Sequence, residues 1–399
     1  MLPEKQLLRY ADVLLWGLQT ARKERFRKQD IVLVRFGQPA LRLAEILHRR
    51  LLEMGLNPVL RFTPTAVMER DFYRRARPRQ LAFMPPGEKE LCQRLSGSIM
   101  LFAPESLTHL GGIDPDRIAR ALVARKPYRD LLDQRDQQGL FGWTLCLLPT
   151  PELARQAGLS LADYSRQVAQ ACFLNRTQPV AHWREIHRQA QSIKQWLDRL
   201  PIRHLRVESA HTDLIVTPGD RRRWLGLSGH NIPSFEIFTS PDWRGTRGTF
   251  FADQPSFRSG HRVEGVRLEF ARGRVVTASA LAGEAFLRRQ LAMDRAAARL
   301  GEFSLTDRRF SRISAFMANT LFDENYGGPH GNCHVALGSA YSDAFVGEAA
   351  ELTPALKRRL GFNDSSLHWD LVNTADKRVS ARLETGGTLT IYENGRFTC

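Results

Sequence analysis

IVLVRFGQPALRLAEILHRRLLEMGLNPVLRF, residues 31–62, carries two short apolar runs on either side of a helical pattern. Ile31 to Arg35 is too short for a helix and rich in β-branched residues, so it reads as a buried strand that ends at Gly37. Leu41, Leu43, Ile46, Leu47 and Leu51 recur at helical spacing, and Gly55 closes that stretch. Asn57 to Phe62 then returns as a strand. Strand, helix and strand in so few residues form a βαβ unit, which requires a parallel pair and a right-handed crossover.

Outward from this unit the same alternation continues. Ser98 to Ala103 and Thr144 to Leu148 read as further buried strands, and helical patterns cover Ile118 to Arg125 and Leu161 to Phe173. The first half is therefore expected to be an α/β domain with a mainly parallel sheet. Gly37 opens no GxGxxG, and no GxxxxGK[ST] occurs, so no nucleotide-binding motif accompanies it. A boundary is expected at Thr177-Gln178-Pro179, giving domains 1–178 and 179–399. Past the long helix Ala181 to Leu200 the chain changes style to strands and hairpins. Val207 to Val216 is extended, Val266 to Phe270 pairs with Val275 to Ala278, and Leu389 to Tyr392 turns through Asn394-Gly395 into Arg396 to Thr398. One helix, Gly283 to Leu300, interrupts them. The second domain is read as α+β with an antiparallel sheet.

At 399 residues, 43% hydrophobic and 25% charged, the composition is that of a globular protein. No stretch reaches the roughly 18 apolar residues of a membrane span, and the first 26 residues read as an amphipathic helix rather than a signal peptide. Five scattered cysteines, with no CxxC spacing, suit free thiols and a cytoplasmic location. The net charge of +16 comes mainly from arginine pairs such as Arg49-Arg50, Arg74-Arg75 and Arg288-Arg289. These are interspersed with carboxylates rather than gathered in one basic tract, which favours a solvated surface over a nucleic-acid footprint.

The chemistry-bearing residues fall in the second half. His368-Trp369-Asp370 lies on an apolar run, and in a strand residues two apart face the same side. An imidazole and a carboxylate projecting together suit a divalent metal, although a structural His–Asp contact gives the same pattern. Glu236 sits among apolar and aromatic neighbours, where a carboxylate is costly unless paired or metal-bound. Glu302 follows Gly301, read as the end of the preceding helix. Glu324 leads into a glycine-rich loop, His334 opens another apolar run, and Tyr341 follows seven residues later. His261 with Glu264, His330 with His334, and a Cys333–His334 dyad are weaker groupings. His334, His368 and Asp370 alone would also make the two-histidine, one-carboxylate set of mononuclear iron oxygenases, and a non-enzymatic anion-binding protein is a third reading.

The series NIPSFEIFTSP, ARLGEFSL, NTLFDEN, CHVALGSAY and NDSSLHWD resembles, in order, the metallo-aminopeptidases of the aminopeptidase T type. The similarity extends back through Pro149-Thr-Pro-Glu-Leu-Ala154 to the βαβ start. It implies two divalent ions per chain (zinc, cobalt or manganese) held by Glu236, Glu302, His334, Tyr341, His368 and Asp370. It also implies Glu324 as general base, Tyr341 as a ligand or oxyanion donor, peptides with a free N-terminus as substrates, and a homodimer. Glu302, central in the series, is the expected bridging carboxylate. Two departures stand out: Phe235 precedes Glu236 where the family has a small residue, which is expected to narrow the substrate pocket. The Tyr326–Asn332 loop is also longer than usual and is expected to shift the base. The dioxygenase branch that resembles the same fold needs neither Glu236 nor Glu302.

Overall fold

A computed structural model describes residues 2–399. The chain divides into two compact units, Met1–Trp183 with Ser228–Pro233, and Arg184–Leu227 with Ser234–Cys399.

The first unit carries the expected βαβ start. β1 (Ile31–Phe36) pairs in parallel with β2 (Asn57–Phe62), and the helix α1 (Leu41–Glu53) connects them. β1 pairs on its other side with β3 (Leu95–Phe102), which pairs with β4 (Gly142–Leu147), both in parallel. The two-residue strand Asn231–Ile232 adds a fifth member beside β4. The central strands are apolar on both faces, with Val32, Val34, Ile99, Leu101, Cys146 and Leu147 all buried, as a helix-covered parallel sheet requires. The expected helix at Ile118 to Arg125 extends over Pro115–Gln137.

The second unit holds three antiparallel sheets, of eight, four and two strands. The largest runs from the edge strand Arg274–Ser279 to Arg396–Phe397. Within it the stretch Val207 to Val216 is a hairpin, Ile202–Ser209 with Thr212–Thr217. The four-stranded sheet consists of β5 (Glu236–Thr239), β6 (Leu300–Thr306), β7 (Asn332–Gly338) and β8 (His368–Asn373), in the order β8-β7-β6-β5. Every residue of β6 and β7 is buried.

One element differs from expectation. The helix read over Gly283 to Leu300 stops at Leu291, and Glu302 is an interior residue of β6. The chain is turned out of the helix by distant partners. Asp294 accepts hydrogen bonds from Ser365 Oγ and the Ser366 amide, both 2.8 Å, and Asn363 Nδ2 donates to the Ala296 carbonyl at 2.9 Å. Alanine-rich local propensity loses to these contacts. Gly301 lies in a register irregularity between Leu300 and Glu302, where a Cβ would collide with the Gly338 and Ser339 carbonyls. The glycine admits a close backbone approach and does not end a helix.

Several of the surface arginines are ion-paired with nearby carboxylates, among them Arg42 with Glu4 and Glu45, and Arg221 with Glu351. No helix among the described residues is long and apolar enough to cross a membrane.

Candidate metal centre

The register of the four-stranded sheet assembles the candidate site. Successive side chains of a strand alternate between faces, so Glu302, Ser304 and Thr306 share one face of β6. Cross-strand partners share a face as well. Ser304 lies opposite His334 and Phe238, Thr306 opposite Glu236, and Ala336 opposite both Glu302 and Asp370. His368 lies two residues before Asp370 on the same face of β8. The opposite face carries Ile237, Phe303, Leu305, Val335, Leu337, Trp369 and Leu371, all buried. One face is hydrophobic core, and the other gathers three carboxylates and two imidazoles.

Glu302 occupies the middle. Its Oε1 is 3.2 Å from His334 Nε2, and its Oε2 is 3.5 Å from His368 Nε2. His334 Nε2 also lies 3.4 Å from Glu236 Oε2 and 4.0 Å from Asp370 Oδ1, while His368 Nε2 is 3.5 Å from Asp370 Oδ1. Two sets of ligand atoms converge, each within 4.8 Å: Glu236, Glu302 and His334, and Glu302, His368 and Asp370. Both sets contain Glu302. His334 is fully buried, whereas the His368 side chain is 28% exposed, so the face opens toward β8.

The electrostatics are those of crowded, buried acids. Burial and the neighbouring Glu302 carboxylate push Glu236 well above the usual carboxylate range. Burial also pushes Glu324 up, with Glu236, Asp370 and Glu302 adding to the effect. For His334, burial favours the neutral ring, but the bond to Glu302 and the surrounding carboxylates overcome it and hold the imidazole at about 9. Asp370 moves the other way: burial opposes its charge, and His368, followed by His334 and Arg258, keeps it ionised. Carboxylates this close need protons or cations between them. Nitrogen and oxygen donors converging at these separations fit divalent ions. His368 Nδ1 is 2.9 Å from the Ser339 carbonyl, a contact that leaves Nε2 free to ligate.

The other expected residues stand near these two sets without belonging to either. Glu324 follows the short helix α2 (Thr320–Asp323) and is buried. Its carbonyl accepts from Thr306 Oγ1 at 3.1 Å and from Asn332 Nδ2 at 2.9 Å, which ties it to β6 and β7. Asn325 adds a second tie, accepting from the Phe235 amide at 2.5 Å and donating to the Leu321 carbonyl at 3.0 Å. Tyr341 is 42% exposed. Its amide donates to Ser240 Oγ at 2.8 Å, and its ring lies 5.0 Å from that of His368 and 5.3 Å from that of Phe238.

Phe235, in front of the first glutamate, is completely buried, and its amide is held by Asn325. Cys333 precedes His334 in the strand and so faces the other way, and burial pushes its thiol up to about 12, which removes it as a nucleophile. His330 is 3.4 Å from Asp376 and His261 stacks on Phe286 at 4.1 Å; neither joins a ligand set. Arg258, which contacts the His368 carbonyl at 2.7 Å, carried no signal in the sequence: Ser256-Phe-Arg258 is neither periodic nor part of a motif.

The profile of the thermophilic metalloprotease family, M29, matches residues 3–397. The chain is 30% identical to aminopeptidase 2 of Geobacillus stearothermophilus, across 77% of this chain and 78% of that one. It is 29% identical to aminopeptidase T of Thermus aquaticus, across 72% and 73% respectively. In fold it resembles wild-type AmpT from Thermus thermophilus with a TM-score of 0.81 at 23% identity, covering 99% of this chain and 100% of that one. With the family matched from end to end, and relatives similar over nearly three quarters of their length, the chain belongs to the thermophilic metalloproteases (M29), of the aminopeptidase T type, and is a metallo-aminopeptidase.

Proposed function

We propose that the chain removes the N-terminal residue of peptides at a dinuclear metal centre, where Glu302 would help to hold both ions and Glu324 would act as general base. The observation that carries this reading is the position of Glu302. Its two carboxylate oxygens face different histidines, 3.2 and 3.5 Å away, and it is the member common to both ligand sets. Glu236 and His334 complete one position, and His368 and Asp370 the other.

Ions bound there would polarise the scissile carbonyl and acidify a water. Glu324 stands within electrostatic range of Glu236, Glu302 and Asp370 yet outside both ligand sets. A carboxylate so placed is available to take a proton from the attacking water and hand it to the leaving amine. Thr306 and Asn332 fix its backbone, so the proton path has a defined start. Buried acids near the reacting bond attract the free α-ammonium of a substrate, which selects exopeptidase over endopeptidase action. Tyr341, at the open edge beside His368, is placed to ligate an ion or to donate to the developing oxyanion. The reading extends to a cytoplasmic homodimer. Five free cysteines, four of them buried, suit a reducing compartment, and the dimer rests on the family resemblance.

Glu324→Gln tests the base. Release of N-terminal amino acids from a short peptide panel should fall by about 10²- to 10⁴-fold, while the protein keeps two ions per chain. Normal turnover removes Glu324 from the role, and loss of an ion with the activity makes it a ligand instead.

A further inference from the structure

Arg258 ends the first strand of the short hairpin Ser256–Arg258 and His261–Val263. Its Nη1 donates to the His368 carbonyl at 2.7 Å, and its Nε donates to Oε1 of the buried Gln290 at 3.2 Å. Its guanidinium carbon stands 5.8 Å from the Trp369 ring centre, and the Trp369 indole donates to Ser256 Oγ at 2.8 Å. One hairpin strand therefore grips two consecutive residues at the start of β8. A half-buried guanidinium ordinarily has a carboxylate against it, yet among the described residues Arg258 makes no ion pair within 4 Å. The opposite charge that acts on it is Asp370.

The contact has a particular consequence for His368. The ring is held at Nδ1 by the Ser339 carbonyl, and the main chain of the same residue is held by Arg258. With both ends fixed, Nε2 has one direction, toward Glu302 and Asp370. His334 needs no such brace, because it lies in the middle of a strand paired on both sides. His368 is the first residue of a strand at the sheet edge, where the backbone pairs with a neighbouring strand on one side alone.

We propose that Arg258 is a positioning residue for one of the two ion sites. It sets the geometry of His368 and Asp370 and leaves the site formed by Glu236, Glu302 and His334 unaffected. This rests on the dinuclear reading above. Charge and geometry predict opposite outcomes, which makes the idea testable. Removing a cation beside carboxylates would by itself tighten metal binding, whereas loosening two ligands would weaken it.

The experiment is a cobalt(II) titration of metal-stripped wild-type, Arg258→Met and Arg258→Lys proteins, followed by calorimetry and the visible absorption of bound cobalt. Wild type should take up two ions. In Arg258→Met one of them should bind roughly 10- to 100-fold more weakly, the range seen when a group supporting a ligand is removed. The other should be unchanged. Arg258→Lys, which can reach the His368 carbonyl but cannot span to Gln290 as well, should fall between. Two unchanged or tightened sites in Arg258→Met overturn this inference alone. A wild-type protein that takes up one ion or none overturns the dinuclear reading and this inference with it. If Arg258→Met does not fold, Gln290→Leu, which removes the Nε acceptor, should show a smaller weakening confined to the same site. Unchanged affinity there overturns the proposal equally.

Discussion

The parallel sheet of the first unit and the four-stranded sheet of the second are both deeply buried, but they bury different things. β1, β3 and β4 enclose valine, leucine and isoleucine, with the hydroxyls of Ser96, Ser98 and Thr144 as their polar content. Among the described residues the first unit buries a single charged side chain, Arg22. The second buries Lys194, Glu236, Glu302, Asp307, Asp323, Glu324, His334 and Lys377. Burying a carboxylate is unfavourable unless partners offset it. One sheet is thus shaped by stability, while the other carries a standing electrostatic cost that a bound cation relieves.

Neutralising the central acid is the strongest way to break that contrast. On the dinuclear reading, Glu302→Gln should abolish uptake at both ion positions, since both ligand sets contain this residue, and lower turnover on the order of 10³-fold or more. The metal-free variant should unfold at a lower temperature than metal-free wild type, because the His334 imidazole loses the carboxylate bonded to it. Metal counting, peptide turnover and thermal melts check the three parts, and a variant that still binds two ions removes Glu302 from the bridge.

Truncation in the parallel sheet should do the opposite. Ile99 is fully buried in β3, and Ile99→Ala should cost about 2–5 kcal/mol of stability with two ions per chain retained. Denaturant unfolding beside a metal titration reads both, and a loss of ion binding would show that the contrast between the sheets is not clean.

The smallest effect concerns a buried charge of the second unit outside both ligand sets. Lys194 donates to the Gly226 carbonyl at 2.8 Å, and burial pushes its ammonium down from 10.5 to about 8. Below pH 8 the folded and unfolded chains both hold this proton, and the folded state bears the full penalty. Between pH 8 and 10.5 the unfolded chain holds more of it, so stability rises with pH across that window. A fall from 10.5 to about 8 corresponds to a rise of at most ~3 kcal/mol. The rise should be missing from Lys194→Met when the two proteins are unfolded side by side from pH 7 to 10.5. Parallel curves would assign the proton elsewhere.

Much of this was legible in the residues. The βαβ start is visible because a parallel strand buried on both faces must be a continuous apolar run, and the helix between has to repeat near 3.6 residues. His368 and Asp370 are visible as a pair because period two is a property of any strand. Glu302 was recognised as a candidate but misplaced. AMDRAAARL after Leu291 has helical propensity, and nothing local reveals that Asp294 is claimed by Ser365 and Ser366. Arg258 was missed altogether, since an arginine's partners are set by what lies across space and not along the chain.

The sequence by itself determined the element types of the first unit, the antiparallel style of the second and the set of acids and imidazoles available for a metal. Those follow from periodicity and from the expense of placing charges among apolar neighbours. Only the tertiary structure decided that Glu302 lies between His334 and His368, that Phe235 is fully buried, and that Arg258 bonds the main chain of the edge strand. Each depends on strand register: a shift of one residue moves every side chain to the opposite face, and register is settled by contacts between segments tens of residues apart.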